Sequence, residues 1–274
     1  MTTAATKRSS NDSTIDAPAA KRPSTGTATN ILEAEWNELA FGKPFANKYD
    51  GYHVGFGFGD DRNRLTLQMA TPPDMVRAPF EPRVPTTGGG GGGGGADKGS
   101  SDPSFVIELD DASHAKMLAF ETKIKDTAVT KRAAWFSKGK HAPTARPKTS
   151  DDQLCWDFKS SIKEGNADKG WLPTLRIGIS QTSPPTILLT ELKSNGKMTS
   201  PRIGSVDDLV ANAAVVPTIR PNGGMWTGAL GFGVKWVLES CLVVTNKSAA
   251  KGAEIDMGGV EFESDEAGEG AAEE

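Results

Sequence analysis

Seven residues near the C-terminal end, Phe232-Gly233-Val234-Lys235-Trp236-Val237-Leu238, constrain the fold more than any other segment. In an extended chain, side chains alternate between two faces. Phe232, Val234, Trp236 and Leu238 therefore fall on one side, and Gly233, Lys235 and Val237 on the other. That pattern predicts a strand with Phe232 and Trp236 buried and Lys235 on the opposite face. The strand belongs to a last β segment running from Met225 to Val244.

Further strand candidates recur along the chain. Tyr52–Phe58 alternates glycine with large residues near its end, and Leu65–Met69 alternates apolar with polar. Asp60-Asp61-Arg62-Asn63 between them suits a hairpin turn, and Pro72-Pro73 ends the second strand because proline cannot donate to a central ladder. Phe105–Leu109, Cys155–Lys159, Leu175–Ile179, Ile187–Leu189 and Ala214–Ile219 also read as extended. Asn30 to Ala40 reads as a short helix, with Asn30 as its cap and Glu33 three residues on. Asp207 to Asn212 reads as one helical turn. Asp110 to Trp135 is the main helix, with a partial apolar stripe of Ala115, Leu118, Ala119, Thr122 and Val129. Short, evenly spaced strands with few helices indicate a mostly β (α+β) domain, a small barrel or a sandwich.

The domain does not use the whole chain. Only 36% of the 274 residues are hydrophobic, while 31 are Gly and 17 are Pro, so a core shorter than the chain is expected. Residues 1–29, rich in Ser, Thr, Ala and Pro, read as a disordered tail. Lys7-Arg8 and Lys21-Arg22 within it match a two-cluster nuclear-import signal, or are chance basic pairs. Residues 30–250 form the domain. A glycine-rich insertion over 86–103 contains the run Gly88–Gly95, which lacks the GK[ST] signature and following helix of a phosphate-binding loop. Residues 251–274 read as an acidic disordered tail. No stretch approaches the roughly 20 apolar residues of a membrane span, and the polar N-terminus does not read as a secretory signal. Cys155 and Cys241 lack metal spacing and read as reduced core residues of an intracellular protein.

Charge is segregated. The net charge is −4, yet nine carboxylates and no Lys or Arg lie between Glu254 and Glu274. Over residues 1–253, 31 basic residues stand against 26 acidic ones, a net of +5. A basic body with an acidic tail fits a protein whose tail mimics a polyanion or recruits partners; a plain solvating tail is the other reading.

No catalytic constellation emerges. His53, His114 and His141 do not pair with one another or with cysteine at metal-ligand spacing. GxSxG and HExxH are absent. The acidic pairs Asp60-Asp61, Asp110-Asp111, Asp151-Asp152 and Asp207-Asp208 sit beside turn or helix-start signals, which suits caps better than a nuclease metal site. No enzyme activity, cofactor or metal is expected.

Aromatic and cationic residues are interleaved instead. Single-stranded nucleic acid is held by cations along its backbone and by ring faces that stack on its bases. Trp135-Phe136 lie among Lys131, Arg132, Lys138 and Lys140; Trp156 and Phe158 beside Lys159 and Lys163; Trp171 beside Lys169 and Arg176; and Tyr49, Tyr52, Phe56 and Phe58 near Lys48, Arg62 and Arg64. Each ring has two possible roles, core packing and base stacking. Trp135 is the better platform candidate, because its flanks are cationic and the stretch runs into the basic loop 137–150. The expected contacts are Trp135, Phe136, Lys138, Lys140, Arg62, Arg64 and Lys235.

The order of several motifs resembles the single-stranded-DNA-binding proteins of large nucleocytoplasmic DNA viruses, such as those of algae. These are Leu65-Thr66-Leu67-Gln68 running into Thr71-Pro72 and then Ala78-Pro79-Phe80; Trp135-Phe136-Ser137-Lys138; Leu172-Pro173-Thr174-Leu175; and Met225-Trp226 followed by Gly231-Phe232-Gly233-Val234-Lys235-Trp236. They span about residues 45–245. The resemblance implies an OB-like β-barrel, single-stranded DNA binding in replication and repair, and self-association on the strand. The glycine insertion and Ala229-Leu230, where a polar or basic residue is expected, depart from that pattern.

The expectation is therefore a nuclear, non-enzymatic, sequence-neutral binder of single-stranded DNA (RNA is not separated from it by sequence), with replication proteins recruited through the acidic tail. The rival is a structural or virion interaction protein that binds no nucleic acid.

Overall fold

The computed structural model describes residues 28–46, 51–59, 65–72, 74–83, 103–136, 150–151, 157–193, 197–228 and 231–245. The glycine run, nearly all of both tails, the basic loop over 137–149 and Cys155 lie outside them. In chain order come strands β1 (Thr29–Asn30), β2 (Leu39–Ala46), β3 (Tyr52–Phe58), β4 (Leu67–Gln68), β5 (Val76–Ala78) and β6 (Ser104–Glu108). Helix α1 (Asp111–Thr130) and the short α2 (Arg132–Phe136) follow. Then come β7 (Phe158–Lys159), β8 (Ile162–Lys163), β9 (Thr174–Gly178), β10 (Thr186–Thr190), β11 (Arg202–Ile203), β12 (Ala213–Gly228) and β13 (Gly231–Val244).

The spine of the fold is the long antiparallel pair β12–β13. Along its outer edge β12 takes three partners in turn: β5 at Ala213–Val215, β4 at Thr218–Ile219 and β3 at Met225–Thr227. The outer edge of β13 takes β7 at Phe232–Gly233, β9 at Trp236–Val237 and β10 from Ser240, all parallel. β2 pairs with β3, β6 and β8 with β9, β11 with β10, and β1 with β4. Bulges between Thr218 and Ile219 and between Pro221 and Met225 bend the spine.

The result is a strand-rich sheet with one main helix. Among the described residues no pairing joins its ends, so the closed barrel expected from the resemblance is not observed. The expected hairpin across 60–63 is not formed either: β3 pairs with β2 and β12, whereas β4 pairs with β1 and β12. Both strands reach the same edge of β12, which supplies ladder bonds that a local hairpin would otherwise provide. Thr29, the last residue of the segment read as a tail, already belongs to β1.

Asn30 caps as expected, its Oδ1 accepting from the Leu32 amide at 3.0 Å, but the segment forms two 3₁₀ turns, Ile31–Glu33 and Trp36–Glu38, instead of an α-helix. Helix α1 starts where expected, the Asp110 carboxylate accepting from the Ser113 amide at 2.6 Å, but it ends at Thr130, and the rest of the single helix expected to Trp135 is the separate α2. Its buried face is not the expected stripe. Met117, Phe120, Ile124 and Ala128 are inside, while Ala115, Leu118, Ala119 and Thr122 face solvent. Of two competing faces, the one carrying the larger side chains is buried, since the gain scales with apolar area removed from water.

The interior is aromatic. Phe120 packs at 5.0 Å from Trp36, 5.6 Å from Phe56 and 5.4 Å from Trp236, centroid to centroid. The Trp36 indole N–H donates to the Lys116 carbonyl at 2.8 Å, so the ring keeps its hydrogen bond while buried. Phe232 and Trp236 are both inside and Lys235 is exposed, as the alternation of β13 requires. Cys241 is buried, and burial pushes its thiol up to about 12.

Candidate nucleic-acid interface

Five residues line up across five adjacent strands at the distal end of the spine. Phe45 of β2 is the cross-strand partner of His53 of β3. His53 is the partner of Trp226 of β12, Trp226 of Gly233 of β13, and Gly233 of Lys159 of β7. Directly opposed residues share a face of a sheet. The neighbours of this row (Val54, Met225, Phe232 and Phe158) are buried, so the row stands on the opposite, outward face. Lys235 shares that face two residues along β13, and Lys43 is exposed in the bulge of β2.

The rings and cations are set over glycines. Phe45 is 50% exposed and stacks on the His53 imidazole, centroids 5.6 Å and planes 19° apart. Gly228 and Gly231 are paired across β12–β13. A Cβ at Gly228 would lie 3.9 Å from Trp226 Cζ3, and one at Gly231 would lie 3.1 Å from Lys159 Cε. The indole and the lysine stem thus flank the glycine pair. At Gly233 a Cβ would meet the Lys159 carbonyl oxygen at 2.5 Å, so only glycine lets β7 approach β13 this closely. At Gly231 a Cβ would also meet the Asp157 carbonyl oxygen at 2.2 Å, so the backbone of β7 and of Asp157 just before it fills the space over both β13 glycines, and of the pair Gly228 and Gly231 only Gly228 is partly exposed.

Burial lowers the pKa of His53; a backbone contact from Gly223 opposes the shift, and the Lys235 ammonium adds to it. Both burial and the Lys235 charge favour the neutral imidazole over the cation. Behind the face, the buried Glu121 of α1 accepts from Ser160 Oγ at 2.8 Å and from the Ser161 amide at 3.2 Å, while Trp236 Nε1 donates to Ser161 Oγ at 3.1 Å. This network anchors the residues immediately following Lys159 and Lys235. Burial raises the Glu121 pKa, against the hydrogen bonds from Ser160 and Ser161 and the Lys125 charge.

The structure treats the expected contacts unevenly. Lys235 is exposed on the outward face. Arg62, Arg64, Lys138 and Lys140 lie outside the described residues. Trp135 and Phe136 are each only 2% exposed. Trp135 packs on Phe41 at 5.3 Å and Phe136 meets Phe232 edge-on at 5.3 Å. Neither offers an open face here: α2 turns both rings inward, where they bury more apolar area than the cationic flanks suggested. Phe45, His53, Trp226 and Lys159, which the structure brings into one row, were not among the expected contacts. Alternation carried past the buried Met225 places Trp226 outward, a signal available in the sequence. The pairing of β2 with β3 that brings Phe45 to His53 was not.

Among the described residues no group of three or more His, Cys, Asp or Glu could hold a metal ion, and no helix is long and apolar enough to cross a membrane.

No family model and no curated protein matches the chain. Among solved structures, it is similar to the single-stranded DNA-binding protein from bacteriophage Enc34 in complex with ssDNA, at 14% identity and a TM-score of 0.36, covering 75% of this chain and 96% of that one. Two further structures of that phage protein are also similar. One has 11% identity, a TM-score of 0.36 and coverage of 79% and 96%; the other, a C-terminal truncation, has 14%, 0.34, 75% and 95%. Likenesses this loose carry no argument about individual residues or activity, and none of them supports an algal-virus origin.

Proposed function

We propose that this chain binds single-stranded DNA, without strong sequence preference, on the outward face of the β2–β3–β12–β13–β7 wall. The observation that carries this reading is the cross-strand row Phe45–His53–Trp226–Gly233–Lys159. Sequence-neutral binding needs ring faces for bases and cations for phosphates, in alternation and within reach of each other. The row supplies both: the Phe45, His53 and Trp226 rings on one side and the exposed Lys159 on the other, with Lys235 beside them. Rings and methylene stems stack on any base, whereas sequence readout needs fixed donor and acceptor pairs at base edges.

The wider role is part of the same proposal. The protein acts in replication and repair in the nucleus or at a viral replication site, self-associates on the strand, and uses its acidic tail to weaken non-specific binding or recruit replication proteins. Support for these points is the charge segregation, the paired basic clusters and the family resemblance.

A fluorescence-anisotropy titration of oligo-dT tests the binding claim. Binding at about 50 mM salt that weakens steeply with added salt is the expected result. No binding at that salt contradicts the proposal and leaves the structural rival.

A further inference from the structure

The β8–β9 hairpin begins three residues after Lys159 and carries an aromatic group that the row does not use. Trp171 is 62% exposed, and its neighbour Leu172 is 47% exposed. The backbone holding Trp171 is tightly fixed. Its N–H donates to the Asn166 carbonyl at 2.9 Å, and its carbonyl accepts from the Asn166 amide at 2.8 Å. Gly170 takes a left-handed φ of 63° to close the turn. Gly165 lies so near that a Cβ there would be 2.3 Å from the Trp171 carbonyl oxygen. The Lys169 ammonium sits 4.8 Å from the centre of the indole. A large ring left exposed on a rigid turn forgoes burial that would favour folding, and a cation over its face adds to its pull on an electron-rich, negatively charged partner.

We infer that Trp171 and Lys169 form a second nucleic-acid contact, a stacking platform with its own phosphate partner, onto which the single strand continues from the Phe45–His53–Trp226 row. This rests on the proposed function and extends it. Continuity supports the occupant. Between the row and the platform runs one short stretch of chain bearing Lys159, Lys163 and Lys169, all exposed. Lys163 lies opposite Thr174 on β9, and Gly178 at the far end of β9 pairs with the buried Val237 of β13, so the exposed link between row and platform is the lysine-bearing stretch itself. Of the acidic residues nearby, Glu164 is turned toward His114 at 3.4 Å. The binding site is accordingly bipartite, and its two parts differ in the length of strand they need.

The test compares the full-length protein with its Trp171→Ala and Trp171→Phe variants on two oligo-dT probes, one of about 6 nucleotides and one of about 30. The expected result is a roughly tenfold loss of affinity in Trp171→Ala for the long probe, partial rescue by Trp171→Phe, and unchanged affinity for the short probe. Equal binding of the long probe by wild type and Trp171→Ala overturns the inference, and a change in sedimentation alone would identify the platform as a protein contact instead. If wild type binds neither probe, the proposed function itself fails. Trp226→Ala is run alongside: if it weakens binding while Trp171→Ala does not, the row stands and the extension does not.

Discussion

The imidazole of His53 lies nearly parallel to the ring of Phe45, 5.6 Å away and tilted by 19°, on two neighbouring strands. Two flat groups stacked side by side on an outward sheet face do little for the interior. They make sense as part of a surface meant to be covered. Trp226 is the next member of the row, on the third strand.

Removing the third ring should therefore be costly for binding and mild for folding. Trp226→Ala is expected to weaken oligo-dT binding by about tenfold, at the stacking value of roughly 1–3 kcal/mol per base. Trp236→Ala, one of the largest fully buried side chains, should instead destabilise the fold by about 3–5 kcal/mol. Anisotropy and thermal melts on the two variants separate these outcomes.

The lysines should show in the salt dependence. Each phosphate contact on a single strand contributes about 0.7 to the slope of log K against log salt. The Lys159→Ala, Lys235→Ala double variant is expected to lower that slope by about 1.4, measured by titrating oligo-dT at several salt concentrations.

His53 ties stability to pH. Its folded pKa is depressed below the ordinary value of 6.5, so protonation is easier in the unfolded chain. Its contribution is fully present above pH 6.5 and is lost as pH falls through the folded value. His53→Phe keeps a ring against Phe45 without the proton. Its Tm should fall less than that of wild type as pH drops below 6.5.

Glu121 has the opposite sign. Its pKa is raised above the ordinary 4.5, so its contribution is fully present below pH 4.5 and is lost as pH rises through the folded value. Glu121→Gln keeps an acceptor for Ser160 and Ser161 without the charge. Thermal melts should give the variant a higher Tm than wild type at pH 8, with the gap closing toward pH 4. Glu121→Ala leaves the Ser161 amide without this acceptor and should cost about 1–3 kcal/mol.

Much of this was legible in the sequence because it is local. The alternation of β13, the start of α1 and the Asp110 cap all follow from neighbouring residues. The site was only half legible. Lys235 followed from alternation, but the ring row depends on which strands meet, and β2, β3, β12 and β7 come from segments up to about 180 residues apart. Cationic flanks also misled: Trp135 and Phe136 sit in a basic stretch, yet α2 turns them onto Phe41 and Phe232. On α1 the small residues Ala115 and Ala119 suggested an apolar face, whereas Met117, Phe120 and Ile124 bury more area and determine which face turns inward.

Photo-crosslinking tests the central claim most directly. Wild-type protein bound to halogenated oligo-dU is irradiated and digested, and the crosslinked residues are mapped by mass spectrometry. The account predicts crosslinks at Phe45, Trp226 and the residues around Lys159. Crosslinks confined to segments away from this wall, with those three untouched, would contradict it.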